Sequence, residues 1–455
     1  MISLWNLGIR NELFALIFKM NELANIKVKT PFGMSASFKC NRIVKQGTVL
    51  SSNLCSASTG ELCDSNNKGG ASVGTTTISD ILYVDDTTDP NTNIVDTIQS
   101  HDEVVNFSMS KRLSLNQDKC VLLIVNKKST DVKPTLVIGE GTIDNVTKCK
   151  VLGDIVNERG NKIDLVEDRV SKGKAAIVTC LSMCNEVTLG TFFLKTAITL
   201  YDSVFLKVML FNCAAWTNLT ESDLRNLRTV QLKYLKRLAH APHSTPNAFV
   251  FLEFGVLPVE YIIHIRQLSF LYHVAHLCNS DPVYTMFKQQ QQLPFEKNWA
   301  NNIHKLLEKY DIDFSVAFSV SKMKWKDEIK KIVRAFAFQE LKHQISTQSK
   351  TKHLQYTEFK QQSYLTHYTH KQASTIFKIR SRSTECKNNR KSSPRDLACR
   401  FCSLSTETQE HIVNCHRIAE DGSLVDLHSV MQEEIPLSCE EVTEVVSRFH
   451  KFSKW

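Results

Sequence analysis

The interpretation of the first third of this 455-residue chain depends on the stretch Ile78-Ser79-Asp80-Ile81-Leu82-Tyr83-Val84-Asp85-Asp86. Its apolar residues are typical of a short strand, and two adjacent carboxylates close it before the turn-forming residues 87–90. Carboxylates at a hairpin tip offer the hard oxygen ligands that Mg²⁺ prefers, and metal ions held in this way catalyse phosphoryl transfer. The same pattern also suits an ordinary turn, in which Asp side chains form local hydrogen bonds.

Around this stretch the hydrophobic pattern changes along the chain. Residues 75–158 mix short apolar strands with helical spacing at residues 94–105, a hairpin signal at 136–143 and a strand at 150–156. From residue 160 apolar residues recur at helical spacing, which predicts further helices at 192–212, 221–239 and 258–278. We therefore predict an α+β fold whose second part, to about residue 345, is mostly helical.

The positive charge of the chain is concentrated in one segment. Residues 322–395 carry 18 Lys or Arg against 5 Asp or Glu, whereas residues 396–455 carry 5 against 11. The basic segment also contains eight aromatic residues: Trp325, Phe336, Phe338, Tyr356, Phe359, Tyr364, Tyr368 and Phe377. Basic residues that neutralise phosphates and rings that stack on bases would bind nucleic acid. The alternative is a solvated helical face above a local aromatic core.

A second pattern suggests a metal site. It consists of Cys399 and Cys402, two residues apart, followed by His411 and Cys415. Closely spaced cysteines followed by His and Cys on a helical turn can complete a closed tetrahedral site, which makes structural Zn²⁺ the expected metal. His416 is an alternative ligand beside Cys415, and chance spacing among 14 cysteines is the other explanation.

The distribution of cysteines favours an intracellular location, cytoplasmic or nuclear. The 14 cysteines are scattered through a large chain rather than arranged as a disulfide framework. The N-terminal residues carry no secretory pattern, and we expect no membrane partner. Residues 194–216 are the most apolar candidate span, but they include Lys195, Asp202 and Lys207 and so predict a buried helix.

The order of motifs in residues 1–418 resembles the reverse transcriptase of non-LTR (LINE-like) retrotransposons. The resemblance is carried by Gln46-Gly47, by the Tyr-Val-Asp-Asp box at residues 83–86, by Lys119 and by Leu152-Gly153. The helical region that follows, including residues 252–258, is similar to the thumb and connector of these elements, and the Cys–His pattern is similar to their C-terminal CCHC motif. Lys45 replaces the proline that is more usual before Gln46.

The resemblance implies a role for each matched residue. Asp85 and Asp86 would be catalytic ligands of Mg²⁺, and Leu152 and Gly153 would form the primer grip. Contact with nucleotide and template would come from Gln46, Gly47, Tyr83 and Lys119. The implied Zn²⁺ ligands are Cys399, Cys402, His411 and Cys415. The implied partners are an RNA template and a DNA primer, and the implied activity is RNA-directed DNA synthesis.

The resemblance also implies a division of the chain. Residues 1–158 would be a partial reverse-transcriptase palm, an antiparallel sheet with helices, lacking the fingers and the first palm strand. Residues 159–300 would form a helical thumb, and residues 301–395 a basic helical connector and linker. Residues 396–418 would form the zinc motif, and residues 419–455 an acidic tail. In this interpretation the chain is an N-terminally truncated fragment.

One catalytic element of the family has no counterpart in this chain. The family needs a further Asp on a strand before the Gln-Gly motif, but the acids before Gln46 are Glu12 and Glu22, both in a helical pattern. With two adjacent carboxylates only, both metal ions would be under-coordinated, and we expect no synthesis by this chain alone. The alternatives are a non-catalytic nucleic-acid-binding module, an inert fragment, and catalysis completed by the missing fingers and palm portion in trans.

Overall fold

The computed structural model describes residues 2–22, 25–39, 50–64, 69–128, 134–187, 192–293, 297–389, 397–419, 423–432, 435 and 440–452. The chain is α+β, as its sequence predicts, with long helices and short, mainly antiparallel strand pairs. It divides into two compact units. The first unit comprises Met1–Asn161 and Asn279–Leu293, and the second comprises Lys162–Cys278 and Pro294–Trp455. The five segments predicted from the sequence stay a prediction.

All fourteen strands of the described residues lie in the first unit, as seven separate pairs. The parallel pair joins Val121–Leu123 to Asp144–Val146. The antiparallel pairs are Asn25–Ile26 with Phe38–Lys39, Lys29–Thr30 with Gly33–Met34, Ala71–Val73 with Thr76–Ile78, Ile81–Tyr83 with Asp86–Thr88, Val137–Ile138 with Gly141–Thr142, and Lys148–Val151 with Asp154–Asn157. Within the described residues no sheet exceeds two strands, so the larger antiparallel sheet expected of a palm is not formed there. Strands of two to four residues bury too little apolar surface to hold such a sheet.

The helices of the first unit are mostly short. They are Ile2–Asn6, Asn11–Glu22, Ser51–Thr59, Ile94–Lys111 and Pro282–Gln292, with 3-10 turns at Gly60–Asp64 and Gln117–Lys119. The longest is capped by the Asn93 side chain, which accepts a hydrogen bond from the Asp96 N–H at 2.8 Å. It ends where Arg112 adopts a left-handed conformation, with φ of 56°.

The described part of the first unit buries little apolar surface. Its buried apolar side chains are Leu4, Ile17, Leu62, Leu136 and Phe287. By contrast, 23 large apolar side chains of this unit are exposed, among them Phe32, which is fully exposed. Since burial of apolar surface is the main favourable term in folding, this unit has a weak basis for stability in its described residues.

The second unit is built from helices and contains the main core. Its helices are Ile163–Val187, Phe192–Leu200, Leu206–Met209, Glu221–Leu238, Asn247–Phe254, Val259–Ala275, Trp299–Lys309, Lys322–Thr347, Tyr364–His367, His370–Arg380, Gln409–Asn414, His428–Met431 and Glu440–Phe452. A π-helical turn occupies Tyr201–Phe205, and 3-10 turns occupy Cys213–Ala215, Phe314–Phe318 and Lys387–Asn389. Thr220 and Asp223 form a reciprocal capping box at the start of Glu221–Leu238.

One long helix organises the second unit. The helix Lys322–Thr347, called here the basic helix, buries Trp325, Ile329, Val333, Ala337, Leu341 and Ile345. These residues recur every fourth position, so they form one stripe, and the helix packs with this stripe against Val259–Ala275. The Trp325 indole N–H donates to the Leu268 carbonyl at 2.9 Å, which satisfies the one polar atom of that buried ring.

The described helices include no single one that is long and apolar enough to cross a membrane. The helices Asn247–Phe254 and Val259–Ala275, bent by 57° at their junction, meet the length and composition requirement together. Every residue from Ala248 to Phe254 is buried within the second unit. The buried helix predicted at 194–216 is present from Phe192 to Met209, with the π-helical turn inside it, and the 3-10 turn Cys213–Ala215 follows.

Candidate functional site

Four predicted metal ligands lie together in the second unit. The Sγ atoms of Cys399, Cys402 and Cys415 and a ring nitrogen of His411 all lie within 4.8 Å of one another. We call these four residues the Cys3His cluster. Cys399 and Cys415 are buried and the other two are half-buried. His416, the alternative ligand, is exposed and lies outside the cluster.

Local hydrogen bonds explain how the sequence brings these residues together. The Cys399 N–H donates to the Ser405 carbonyl at 2.7 Å, which folds residues 399–405 back on themselves and turns Cys402 toward Cys399. The Thr408 hydroxyl then caps the helix Gln409–Asn414 by accepting from the His411 N–H at 3.1 Å. Cys415 follows that helix directly, so a tight turn and one short helix are sufficient to assemble the cluster.

An ion pair between the buried Glu407 and the exposed Arg400, which the sequence reasoning missed, supports this turn. Glu407 is fully buried, and its carboxylate accepts from Nε and Nη2 of Arg400 at 2.9 and 2.7 Å. It also accepts from the backbone N–H groups of Lys387 at 2.9 Å and of Arg400 at 3.0 Å. Burial raises the pKa of the Glu407 carboxyl, but these hydrogen bonds hold it below its usual value. The position of Arg400 between Cys399 and Cys402 was the sequence signal from which this ion pair could have been predicted.

The thiols and the imidazole of the cluster interact directly. Sγ of Cys402 lies 3.3 Å from Nε2 of His411. Burial lowers the pKa of the His411 imidazole, which favours the neutral form that binds metals. Three sulfurs and one imidazole nitrogen at this separation form the donor set of a tetrahedral Zn²⁺ site, so the cluster could bind zinc. With four protein ligands, no position remains for a substrate, which is typical of a structural metal.

The predicted catalytic carboxylates lie at the tip of a hairpin in the first unit. Tyr83 pairs with Asp86, so Val84 and Asp85 form a two-residue turn, and Val84 adopts a φ of 61°. We call residues 81–88 the carboxylate hairpin. Asp85 and Asp86 are both exposed. The Thr59 hydroxyl, from the helix Ser51–Thr59, donates to the Val84 carbonyl at 3.0 Å and holds the turn against that helix.

The described residues give no support to a Mg²⁺ site at this hairpin. The one group of three or more His, Cys, Asp or Glu side chains that they gather for a metal is the Cys3His cluster. The titratable neighbour of Asp85 is Cys55: burial raises the pKa of the Cys55 thiol, and the Asp85 charge raises it further. A protonated thiol is a poor ligand for Mg²⁺, which selects oxygen donors.

The other residues that the sequence predicted for a palm do not gather at this hairpin. Lys119 is exposed and ends the 3-10 turn Gln117–Lys119, and it forms no ion pair with Asp85 or Asp86. Gln46 and Gly47 lie outside the described residues. The strand predicted at 150–156 is a hairpin, because Leu152 and Gly153 both have positive φ, 46° and 94°, and reverse the chain between Lys148–Val151 and Asp154–Asn157.

The aromatic residues of the basic segment are packed inside the second unit. Trp325, Tyr356, Tyr364, Tyr368 and Phe377 are buried, and Phe336, Phe338 and Phe359 are half-buried. The alternative of a local aromatic core therefore describes the five buried rings, whereas Phe336, Phe338 and Phe359 keep part of their surface accessible. The surface of this segment keeps its charge, since Lys322, Lys324, Lys326, Lys330 and Lys331 are exposed.

No protein-family model matches this chain, and no curated protein matches it.

Proposed function

We propose that this chain is related to the reverse transcriptases of non-LTR retrotransposons, and that it binds nucleic acid without synthesising DNA unaided. The observation that carries the proposal is the position of Asp85 and Asp86. Both lie at the tip of the carboxylate hairpin, exposed to an incoming ligand, without a third carboxylate gathered beside them in the described residues. In this proposal residues 1–158 are a partial palm, and the partners are an RNA template and a DNA primer.

The inactivity follows from the coordination chemistry of Mg²⁺. A near-octahedral ion needs carboxylates from more than one strand if two ions are to be bridged. Before Gln46 this chain offers Glu12 and Glu22, both on the exposed side of helix Asn11–Glu22. Loss of one stabilising group of a transition state costs about 10³-fold in rate, and loss of a metal ligand belongs to the same class of effect.

Binding without catalysis is supported by the second unit. Its basic helix presents a row of exposed lysines, and cationic side chains at such spacing neutralise phosphates. The Cys3His cluster binds Zn²⁺ in this proposal and stabilises the fold of residues 397–419. The specific role of zinc here is structural, because all four ligands come from the protein.

The test is primer extension on an RNA template with Mg²⁺, using zinc-loaded protein beside its Asp85→Ala variant. We expect no incorporation by either protein, and binding of the primer–template by both, measured by fluorescence anisotropy. Incorporation that disappears in Asp85→Ala would overturn the claim of inactivity. Absence of binding by a folded, zinc-loaded chain would overturn the whole proposal and favour an inert fragment.

A second arm of this experiment tests completion in trans. A separate fragment containing the fingers and first palm strand of a non-LTR reverse transcriptase is added to the reaction. If the palm is merely incomplete, incorporation appears on addition and requires Asp85. If incorporation does not appear, the non-catalytic binding module is the better description.

A further inference from the structure

The second unit contains a pocket that neither the Cys3His cluster nor the carboxylate hairpin uses. It has a volume of about 540 Å³ and opens beside the π-helical turn Tyr201–Phe205. Ile198 and Leu206 form its apolar wall, and Asp202, Lys207 and Arg266 bring charge to it. Single π-helical turns inside α-helices often mark functional sites, because they displace side chains from the regular helical positions.

Cations outnumber the single carboxylate at this pocket. Lys207 and Arg266 line the pocket together with Asp202. Burial raises the pKa of Asp202, and the charges of Lys330 and Lys207 oppose that effect. Arg266 uses its Nη1 to donate to the Leu210 carbonyl at 2.6 Å, which leaves Nε and Nη2 available among the described residues. The lining therefore carries two cationic side chains, Lys207 and Arg266, against one carboxylate.

Lys330 belongs to a row of lysines on the basic helix, which packs against the helix Val259–Ala275 that carries Arg266. Lys322, Lys326 and Lys330 are four residues apart, so they lie on one side of the helix at intervals of about 6 Å. All three are exposed, and none forms an ion pair with the described residues. A surface with spaced, unpaired cations ending at a cationic pocket suits a chain of phosphates better than a single anion.

We propose that this pocket binds a backbone phosphate of a single-stranded nucleic acid, with Lys207, Arg266 and Lys330 as its cationic ligands. Lys326 and Lys322 contact the phosphates that follow, and Ile198 and Leu206 pack against the sugar. The inference rests on the proposed function and deepens it, because it names the surface of the second unit that carries the strand.

The experiment measures binding of a fluorescently labelled single-stranded RNA to the full chain over a range of salt concentrations. The test variant is Lys207→Gln/Lys330→Gln, which leaves the backbone contact of Arg266 intact. The matched control is Lys233→Gln/Lys305→Gln, which removes two exposed lysines of the same unit that do not line the pocket. Each phosphate contact contributes about −0.7 to the slope of log K against log salt for single strands.

We expect the test variant to bind more weakly and to reduce that slope by about 1.4, and the control to change it little. We expect Asp202→Asn to bind more tightly, because it removes the one negative charge of the pocket and keeps its shape. Opposite signs for the lysine and aspartate variants are difficult to obtain from a general loss of structure.

The outcomes separate this inference from the proposed function. If the wild-type chain binds RNA and both double variants change the slope equally, the pocket assignment is wrong while nucleic-acid binding stands. An unchanged or weaker affinity in Asp202→Asn also contradicts the assignment. If the wild-type chain binds no RNA, the proposed function fails and the pocket assignment fails with it.

Discussion

Arg380 and Glu253, 127 residues apart in the sequence, form a fully buried ion pair in the second unit. Nε of the guanidinium donates to both carboxylate oxygens at 3.1 Å, and Nη2 donates to one of them at 2.9 Å. The hydroxyl groups of Tyr356 and Tyr364 donate to the same carboxylate. Nη1 of Arg380 donates to the carbonyl of Val430 at 3.0 Å, so the pair joins three distant segments.

We predict that Glu253→Gln lowers the free energy of unfolding of the second unit by about 3–5 kcal/mol, because it leaves the Arg380 charge buried without its partner. The measurement is urea denaturation followed by the fluorescence of Trp216 and Trp325, which lie in this unit. The control is Glu358→Gln, since Glu358 pairs with Lys360 at the surface, and its effect should stay below about 1 kcal/mol. Equal effects of the two variants would contradict the prediction.

The stability of the second unit should depend on pH through His264. Burial, with a smaller effect of the Lys309 charge, lowers the pKa of His264 to about 3, and its Nδ1 lies 2.6 Å from the Tyr310 hydroxyl. The folded pKa is below the unfolded value of about 6.5, so the unfolded chain binds the extra proton. We therefore expect the free energy of unfolding to fall by about 1.4 kcal/mol per pH unit as pH decreases from about 6.5 toward 3.

The contribution of this histidine can be isolated by substitution. His264→Asn removes the titrating group. The free energy of unfolding should therefore change less between pH 7 and pH 5 in this variant than in the wild type. His343→Gln removes an exposed histidine and should leave the pH dependence as it is. The assignment is wrong if both variants retain the wild-type slope.

Removal of zinc should unfold the end of the second unit locally. We predict that the purified chain holds about one zinc ion, and that Cys402→Ser or a chelator increases amide hydrogen exchange in residues 397–419. The control is Cys278→Ser, an exposed cysteine outside the cluster, which should keep both zinc and protection. Retention of zinc by Cys402→Ser would show that the metal is bound elsewhere.

The two units should differ in local stability. Because the first unit buries five apolar side chains in its described residues, its hairpins should exchange amide hydrogens faster than the helix Val259–Ala275. The comparison within the first unit is the helix Ile94–Lys111, whose capped start should give it intermediate protection. The expectation would be contradicted if hydrogen-exchange mass spectrometry showed that the hairpins exchange their amide hydrogens as slowly as the helix Val259–Ala275.

Local features could be predicted from the sequence because their causes are local. The spacing of Cys399, Cys402, His411 and Cys415 predicted the cluster, since one turn and one short helix are sufficient to join them. The hairpin around Gly139-Glu140-Gly141 was also predicted and is confirmed by the pair Val137–Ile138 with Gly141–Thr142. By contrast, the prediction of one strand at 150–156 missed the chain reversal at Leu152-Gly153. A non-glycine residue at positive φ, such as Leu152, leaves no clear signal in the sequence.

By itself, the sequence determined the α+β class, the helical second part and the four side chains of the Cys3His cluster that could bind zinc, because periodicity and short spacings follow from backbone geometry. Only the tertiary structure decided that the aromatic rings of the basic segment form a core, since their burial depends on which helix faces them. It also decided the partners of Arg380, which pairs with Glu253 and the Val430 carbonyl, both distant in the sequence. Packing brings such groups together, and packing is a property of the whole unit.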